Sequence, residues 1–423
     1  MPAFPLDAPR PFFGTWVVRA AFVMAVFGWG VGFYGPPIFL HAVMQRTAWP
    51  LFLVSSAVTV HFLFGAIVVA NLPRLYRRFG LPTATTAGAI ATALGVMGWA
   101  FAAEPWQLFL AALCSGGGWV MMGAAAINAI VAPWYVHARP MALAKAYNGA
   151  SIGGVIFSPL WVFLIAKTGF QMASLLVSGV MVVAVAILAR WAFVKTPALL
   201  GQAPDGDEVG APLRTVTLPH ARLLPGKKLW TNRRFLTLAG GMAAGLFAQI
   251  GLLAHMFSLL VPALGAQSAG LTMGLATACA IAGRSVVAWT MPVTADRRLV
   301  ICAGYAVQLL GSLLLLAANE SQIGLILLGV VLFGAGIGNA TSLPPLIAQV
   351  EFVKEDVSRV VALIVAMGQA TYAFAPMAFG LLLAVSGGQD LHLGQNTTLF
   401  FMGVALVQLL AITLFLLGRR SSS

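Results

Sequence analysis

The sequence predicts an all-α membrane protein of about twelve transmembrane helices, built as two pseudo-symmetric six-helix bundles with both termini cytoplasmic. Three observations carry that prediction. Apolar residues make up 60% of the chain and charged residues 8%, against roughly 25% charged in soluble domains, so most of the surface must face lipid. A spanning helix takes about 20 apolar residues, and the 423 residues divide almost completely into such runs. Basic residues fall in alternate loops, as the positive-inside rule requires.

The expected spans, in order, are Trp16–Ala42, Leu51–Leu72, Thr83–Ala103, Trp106–Val131, Pro140–Ala166 and Gln171–Val194. A polar stretch from Lys195 to Arg234 follows. The second set is Phe235–Val261, Gly270–Met291, Leu299–Ala318, Ile323–Ala348, Val360–Val385 and Thr398–Leu417. The domains are therefore residues 1–194, a cytoplasmic linker at 195–234, and 235–423. The linker carries GQAPDGDEVGAP before a basic end, a composition suited to a tether. Residues Met1 to Phe13 are rich in proline, and the first apolar run is too long for a cleavable signal.

Orientation follows from the loops. One side holds Arg10, Arg74, Arg77, Arg78, Arg139, the central stretch, Arg297, Arg298, Lys354, Arg359, Arg419 and Arg420; the other holds Arg46 and Lys167. This puts the chain in the cell inner membrane with the rich side inward. The net charge of +13 is spread over these loops and not over one soluble face, which excludes nucleic acid as a partner. Cys114, Cys279 and Cys302 sit in apolar runs without metal-ligand spacing, so no disulfide framework, metal or cofactor is expected.

One internal echo supports two halves. GAIVVANLPRLYRR ends the second span and GRSVVAWTMPVTADRR ends the eighth. Each runs Gly, Val-Val-Ala, Pro, then paired Arg, with one insertion, at equivalent places in a duplicated bundle.

Ionisable groups within spans are functional candidates. None of the eleven acidic residues falls mid-span; Glu351, at the cytoplasmic end of the tenth, comes nearest. Arg284 lies within the eighth span, in LATACAIAGRSVVAWTM. An arginine in hydrocarbon costs about 2.5–3.5 kcal/mol on insertion scales, so it must face a water-filled cavity or a partner. With no carboxylate at similar depth, its fork is suited to a bound anion. The alternative is that Arg284 snorkels to the cytoplasmic interface, the preferred reading for Lys145, Arg19 and Arg190.

Further polar residues lie inside spans: Tyr34, His61, Asn128, Tyr147, Asn148, Ser151, Gln249, His255, Asn339, Gln369 and Tyr372. Each either lines a cavity or hydrogen-bonds between helices. The glycines at 116–118 and at 334, 336 and 338 suit close packing or bending, and Pro36, Pro37, Pro159, Pro344, Pro345 and Pro376 suit kinks.

The whole chain resembles the major facilitator superfamily, and within it the monocarboxylate transporter-like and oxalate–formate antiporter-like branch. Three stretches carry the resemblance: FFGTWVVRAAFVMAVFGWGVGFYGPPIF, PWYVHARPMALAKAYNGASIGGVIFSPLW and LAHMFSLLVPALGAQSAGLTMGLATACAIAGRSVVAWTMPVTADRR. The resemblance implies secondary transport of small organic anions by alternating access, without enzymatic activity. Arg284 matches the arginine that takes a substrate carboxylate, and His255 the histidine one helix earlier. Asp296 and Arg297 match the cytoplasmic gate motif, and Arg74, Arg77 and Arg78 its basic part in the first half. Substrate contacts are further expected from Asn128, Tyr34, Tyr147, Asn148, Gln369, Tyr372 and Asn339. The partners implied are the anion, a co-transported proton and the bilayer, with the chain acting as a monomer.

The sequence departs from that branch. Phe33-Tyr34 stands where a lysine is usual, Ala280 where an aspartate precedes the arginine, and Asn71-Leu72-Pro73 where the first gate motif has an aspartate. No lysine lies between Val360 and Val385. These gaps argue against a dicarboxylate needing two cations, and leave a proton to ride on His61, His255 or the substrate. The second reading is an exporter of drugs or apolar metabolites. Its usual Gly-Pro-Gly-Gly pattern is unmet, since Pro159 follows Gly153-Gly154 at a distance.

Overall fold

The computed structural model describes residues 11–206, 226–292, 295–387 and 391–419. Residues 207–225 of the expected linker, including Asp207 and Glu208, lie outside the described residues. So do Arg10 and Arg420, and the Lys354 side chain.

The described chain is helical throughout its ordered elements. These are α1 Gly14–Gly32, α2 Pro36–Thr47, α3 Leu51–Phe79, α4 Leu81–Phe101, α5 Pro105–Val120, α6 Ala124–Val131 and α7 Arg139–Leu188. Short α8 Pro197–Leu200 and α9 Gly226–Leu229 precede α10 Arg233–Leu264, α11 Ala266–Thr290 and α12 Arg297–Ala317. Then come α13 Ile323–Ile337, α14 Asn339–Glu351, α15 Lys354–Tyr372, α16 Ala375–Gly387 and α17 Thr398–Leu417.

Among the described residues, ten helical segments are long and apolar enough to cross a membrane. The sequence suggested about twelve spans, and two regions make the difference. Segment Arg139–Phe193 runs for 55 residues, but at Gly169 the backbone leaves the helix with φ 78° and ψ 160°. That left-handed value suits glycine, and it separates the two spans expected there. The expected Ile323–Ala348 span is divided at Gly338 into α13 and α14, each too short alone.

Other divisions fall at Phe33–Gly35 between α1 and α2, at Met121–Gly123 between α5 and α6, and beside Ala373 between α15 and α16. Each frees backbone groups that lipid cannot satisfy, and side chains from neighbouring helices meet several of them. His61 Nε2 lies 2.8 Å from the Gly32 carbonyl. His255 Nε2 lies 2.9 Å from that of Pro376, and Arg284 Nε donates to Gly338 at 3.1 Å. The Met377 amide donates to Thr59 Oγ1 at 3.0 Å. The broken helices are therefore stapled, not loose.

In the N-terminal half α1 packs on α7, and α3 and α4 pack on α5; in the C-terminal half α10 packs on α15 and α17, and α12 on α13 and α17. The halves meet where α7 lies on α11, α3 on α16 and α2 on α10. This seam uses small residues. A Cβ on Gly154 would meet the Tyr34 ring at 2.6 Å and Thr277 Cγ2 at 2.7 Å, and one on Gly270 would meet Val162 at 2.8 Å. Small residues thus let the halves approach closely, while the glycines singled out in the sequence pack within a half, Gly116 against the His61 backbone and Gly334 against that of Ala276. Outward faces carry apolar side chains such as Leu94, Trp289 and Leu406, as a lipid-facing surface requires.

Candidate functional site

A cavity of about 240 Å³ lies between the halves. Helix α1 contributes Trp29 and Phe33, α5 Trp119 and Val120, and α6 Ala124 and Ala125. From the other half come Met242, Leu246, Gln249 and Ile250 of α10, Thr341 of α14, and Val365, Gln369 and Tyr372 of α15. The wall is aromatic and aliphatic with a few convergent polar groups, the usual constitution of a small-molecule site. Its volume, below the ~300 Å³ at the small end of ligand pockets, favours a compact solute.

Two buried polar atoms of wall residues have no hydrogen-bond partner among the described residues: Trp119 Nε1, a donor, and Gln249 Oε1, an acceptor. Their side chains are 7% and 5% exposed. Buried groups of this kind are nearly always paired; both atoms are shielded from the cavity space, and Trp119 Nε1 lies on the α3 side, beside Gly65. A tight cleft above, shared by Phe33, Tyr34, Phe62 and Met273, closes the cavity toward the α2 end. Phe62 of one half meets Tyr372 of the other edge to face at 5.8 Å.

Of the residues singled out in the sequence, Gln249, Gln369 and Tyr372 line this cavity, while Arg284, Tyr34 and His255 lie outside its wall. Asn128 and Tyr147 stand beside it as a pair. Asn128 Nδ2 donates to Tyr147 Oη at 2.6 Å, and that hydroxyl donates to the Ala124 carbonyl at 3.0 Å. Together they brace the first turn of α6. Asn148 is exposed on α7. Asn339 opens α14, buried, with Nδ2 at 3.5 Å from the Gly283 carbonyl. His255 lies inside the C-terminal half, against Phe400 and the Pro376 carbonyl, and its location is set by the break before α16. His61 is its counterpart, held by Ser115 Oγ at 2.9 Å and by Gly32.

Arg284 is partly buried six residues before the end of α11. One of its nitrogens, Nε, is committed to the Gly338 carbonyl. The Nη nitrogens make no hydrogen bond, and the guanidinium no ion pair, with the described residues. Tyr34 is close enough to interact with it electrostatically, and Thr277 with Tyr34. Among the described residues no acidic side chain pairs with the guanidinium.

The gate residues behave differently in the two halves. Arg74 donates to Asn71 at 3.2 Å, and Arg77 and Arg78 are exposed. Asp296 caps α12 through the amides of Arg298 and Leu299 and pairs with Arg419 at 2.7 Å. Burial pushes its carboxyl up, but Arg419 and those amides outweigh it and hold it below the usual range. Arg297 donates to the Leu346 carbonyl at 2.6 Å. The sequence reading missed Arg298, which is 2% exposed and bound to both oxygens of Glu351, at 2.6 and 2.8 Å. It also reaches Thr237, Arg234 and Phe415, tying α10, α12, α14 and α17 together. The available signal was Glu351 itself, the acid nearest any span, at the same end as the paired arginines.

Two bundles joined by a small-residue seam, with a central cavity fed by broken helices, are the geometry of a rocking carrier. The Major Facilitator Superfamily pattern matches residues 20–352. The chain belongs to the Major Facilitator Superfamily. This major facilitator protein is a multi-pass membrane transporter and not an enzyme. It is 25% identical over 398 residues to the MFS transporter asaE of Aspergillus flavus, spanning 89% of this chain and 81% of that protein. Among solved structures it resembles the nucleoside transporter NupG at TM-score 0.72 and 12% identity, over 97% of this chain and 100% of that one. It also resembles a bacterial homologue of the human lysosomal transporter Spinster, inward-facing and occupied, at TM-score 0.64 and 12% identity, over 98% and 100% of the two chains. These two likenesses are of fold.

Proposed function

We propose that this major facilitator transporter is a secondary carrier of small organic anions, with monocarboxylates as its class, and that Arg284 takes the carboxylate. The observation that carries the proposal is the guanidinium itself. It sits within a membrane helix, spends Nε on the Gly338 carbonyl, and leaves its forked Nη edge for a negative group that the described protein does not supply. Counting the Gly169 break as a turn, and α13 with α14 as one span, gives about twelve spans. On this reading the bundles are residues 1–194 and 235–423, joined by 195–234. The basic end and both termini face the cytoplasm of a cell inner membrane, and one copy of the chain forms the whole path.

With that orientation, the named contacts across the seam, Gly154 with Thr277, Gly270 with Val162 and His41 with Ser258, close the outer side, and the cavity faces inward. Transport exchanges this arrangement for its opposite as the halves rock. Neither His61 nor His255 lines the cavity, so neither is placed to carry a proton with the substrate.

The test is uptake of labelled pyruvate, lactate and benzoate into proteoliposomes. Losing a charge-assisted forked contact costs about 3 kcal/mol, roughly a hundredfold, so Arg284→Ala lowers carboxylate kcat/KM by about that factor and Arg284→Lys by less. Unchanged flux in Arg284→Ala removes the anion site. The uncharged wall of the cavity favours a second reading, an exporter of apolar metabolites. That reading predicts no carboxylate flux and resistance to toxic compounds that survives Arg284→Ala.

A further inference from the structure

We infer that Arg19 and Lys145 form a peripheral collecting site for organic anions, a vestibule on the basic side of the central cavity. The identity of the anion rests on the carrier reading above; the positive character of the site does not. A groove of about 520 Å³ lies between α1 and the start of α7, lined among others by Thr15, Val18, Arg19, Phe22, Tyr135 and Lys145. It has more than twice the volume of the central cavity and carries two cations from two different helices.

Both cations are free to act on a ligand. Arg19 lies 4.7 Å over the Trp16 ring, a stacking that leaves its N–H edge exposed. Neither Arg19 nor Lys145 has an ion pair among the described residues. The carboxylate at this end, Asp205, is occupied by the amides of Val136, His137 and Ala138.

The helical register ties the groove to the transport path. Arg19, Phe22, Val26, Trp29 and Phe33 recur at spacings of three and four, one face of α1, and Trp29 and Phe33 line the central cavity. On α7, Lys145, Asn148, Ile152 and Val155 recur likewise, and the Val155 carbonyl faces Gly274 of the opposite half. The groove itself is lined by the N-terminal half alone, and these two helical registers lead from it toward the space between the halves. The Asp205 carboxylate stays charged near Tyr135 of the groove, so the two cations leave a net positive charge, and at a low-dielectric wall that raises local anion concentration by up to about tenfold, which suits a mouth that feeds Arg284.

The charge is measured without knowing the substrate. A cysteine at Thr15→Cys, in phosphatidylcholine vesicles, is labelled by anionic sulfonatoethyl and by cationic trimethylammonioethyl methanethiosulfonate, after subtracting the parent protein's own cysteines. The anionic-to-cationic rate ratio falls about tenfold when Arg19→Gln and Lys145→Gln are added. An unchanged ratio overturns the vestibule. Anionic labelling blocked by phosphatidylglycerol would assign the groove to a lipid headgroup and overturn it equally. Lys145→Gln alone, with a smaller fall, serves if the double variant does not fold. In the same variants KM for pyruvate rises about tenfold and kcat falls less; an unmoved KM also overturns the proposal. If the unmodified protein moves no carboxylate, the carrier reading fails while the labelling ratio still judges the groove.

Discussion

GAIVVANLPRLYRR in the N-terminal half and GRSVVAWTMPVTADRR in the C-terminal half start from one pattern and end in different structures. In the first, Arg77 and Arg78 are exposed. In the second, Arg298 is buried at 2% exposure with both oxygens of Glu351. The deciding factor is the supply of carboxylates. Between residues 11 and 194 the only acid is Glu104, which caps α5 at the opposite end. A guanidinium without a partner stays in water, because burying an uncompensated charge costs several kcal/mol. The same alignment places Ala66 opposite Arg284. The C-terminal half therefore carries both the ionic lock and the partly buried cation within a span, while the N-terminal half shows no side-chain ion pair among the described residues.

The sharpest way to break this comparison is to remove one partner of the lock. Glu351→Gln leaves Arg298 buried without its counter-charge, and the expected loss is about 3–5 kcal/mol, read as a lowered thermal midpoint in detergent. Arg78→Gln, at the equivalent place in the other half, should stay within about 0.5 kcal/mol. Replacing both lock residues with methionine should recover most of the loss, because two charges then leave the interior together. Equal losses from Glu351→Gln and Arg78→Gln would show that the halves do not differ in this way.

The histidines sharpen the comparison from the other side. His61 has both ring nitrogens engaged, with Ser115 and with the freed Gly32 carbonyl. His255 engages one, with the Pro376 carbonyl, and its Nδ1 has no partner among the described residues. Each unsatisfied buried group costs about 1–3 kcal/mol. His61→Phe should therefore lose about 2–4 kcal/mol and His255→Phe about 1–3 kcal/mol. Faster amide exchange should appear beside the α1–α2 break in the first variant and the α15–α16 break in the second. If His255→Phe proves the more damaging, the neutral staple is not what holds the N-terminal half.

The helices were legible because their composition is forced by lipid, and Arg284 because a lone charge stands out against an apolar run. The breaks were only half legible. Gly35-Pro36-Pro37 and Pro376 mark two of them, but Met121–Gly123 and Gly338 lie in glycine stretches that serve equally well as packing surface, and only tertiary contacts choose. The cavity wall was least legible. Trp29, Phe33 and Trp119 read as ordinary apolar residues, and their part in a site follows from two halves meeting across several hundred residues of chain. Arg298 was hidden for the same reason: its partner lies 53 positions away, and paired arginines near a helix start look like a solvated loop.

A carboxylate outside the membrane offers the finest comparison. In the segment after the N-terminal half, Asp205 accepts from Val136, His137 and Ala138 at 2.8–3.1 Å, while Asp296 of the other half faces Arg419 and the start of α12. Burial pushes the Asp205 carboxyl up, but the three amides outweigh it and hold it below the usual range. A folded value below the unfolded one, about 3.9, adds stability that is present above that pH and lost as pH falls through the folded value. The group is partly exposed, so the contribution is discounted to about 1 kcal/mol. Asp205→Asn should cost about that much at neutral pH and nothing at the acid end, so its stability should fall less steeply than that of the unmodified protein below about pH 4. Asp296→Asn should do the same only at low salt, because half of its support is an exposed ion pair that salt screens. Parallel pH profiles for Asp205→Asn and the unmodified protein would show that the loop amides do not anchor this carboxylate.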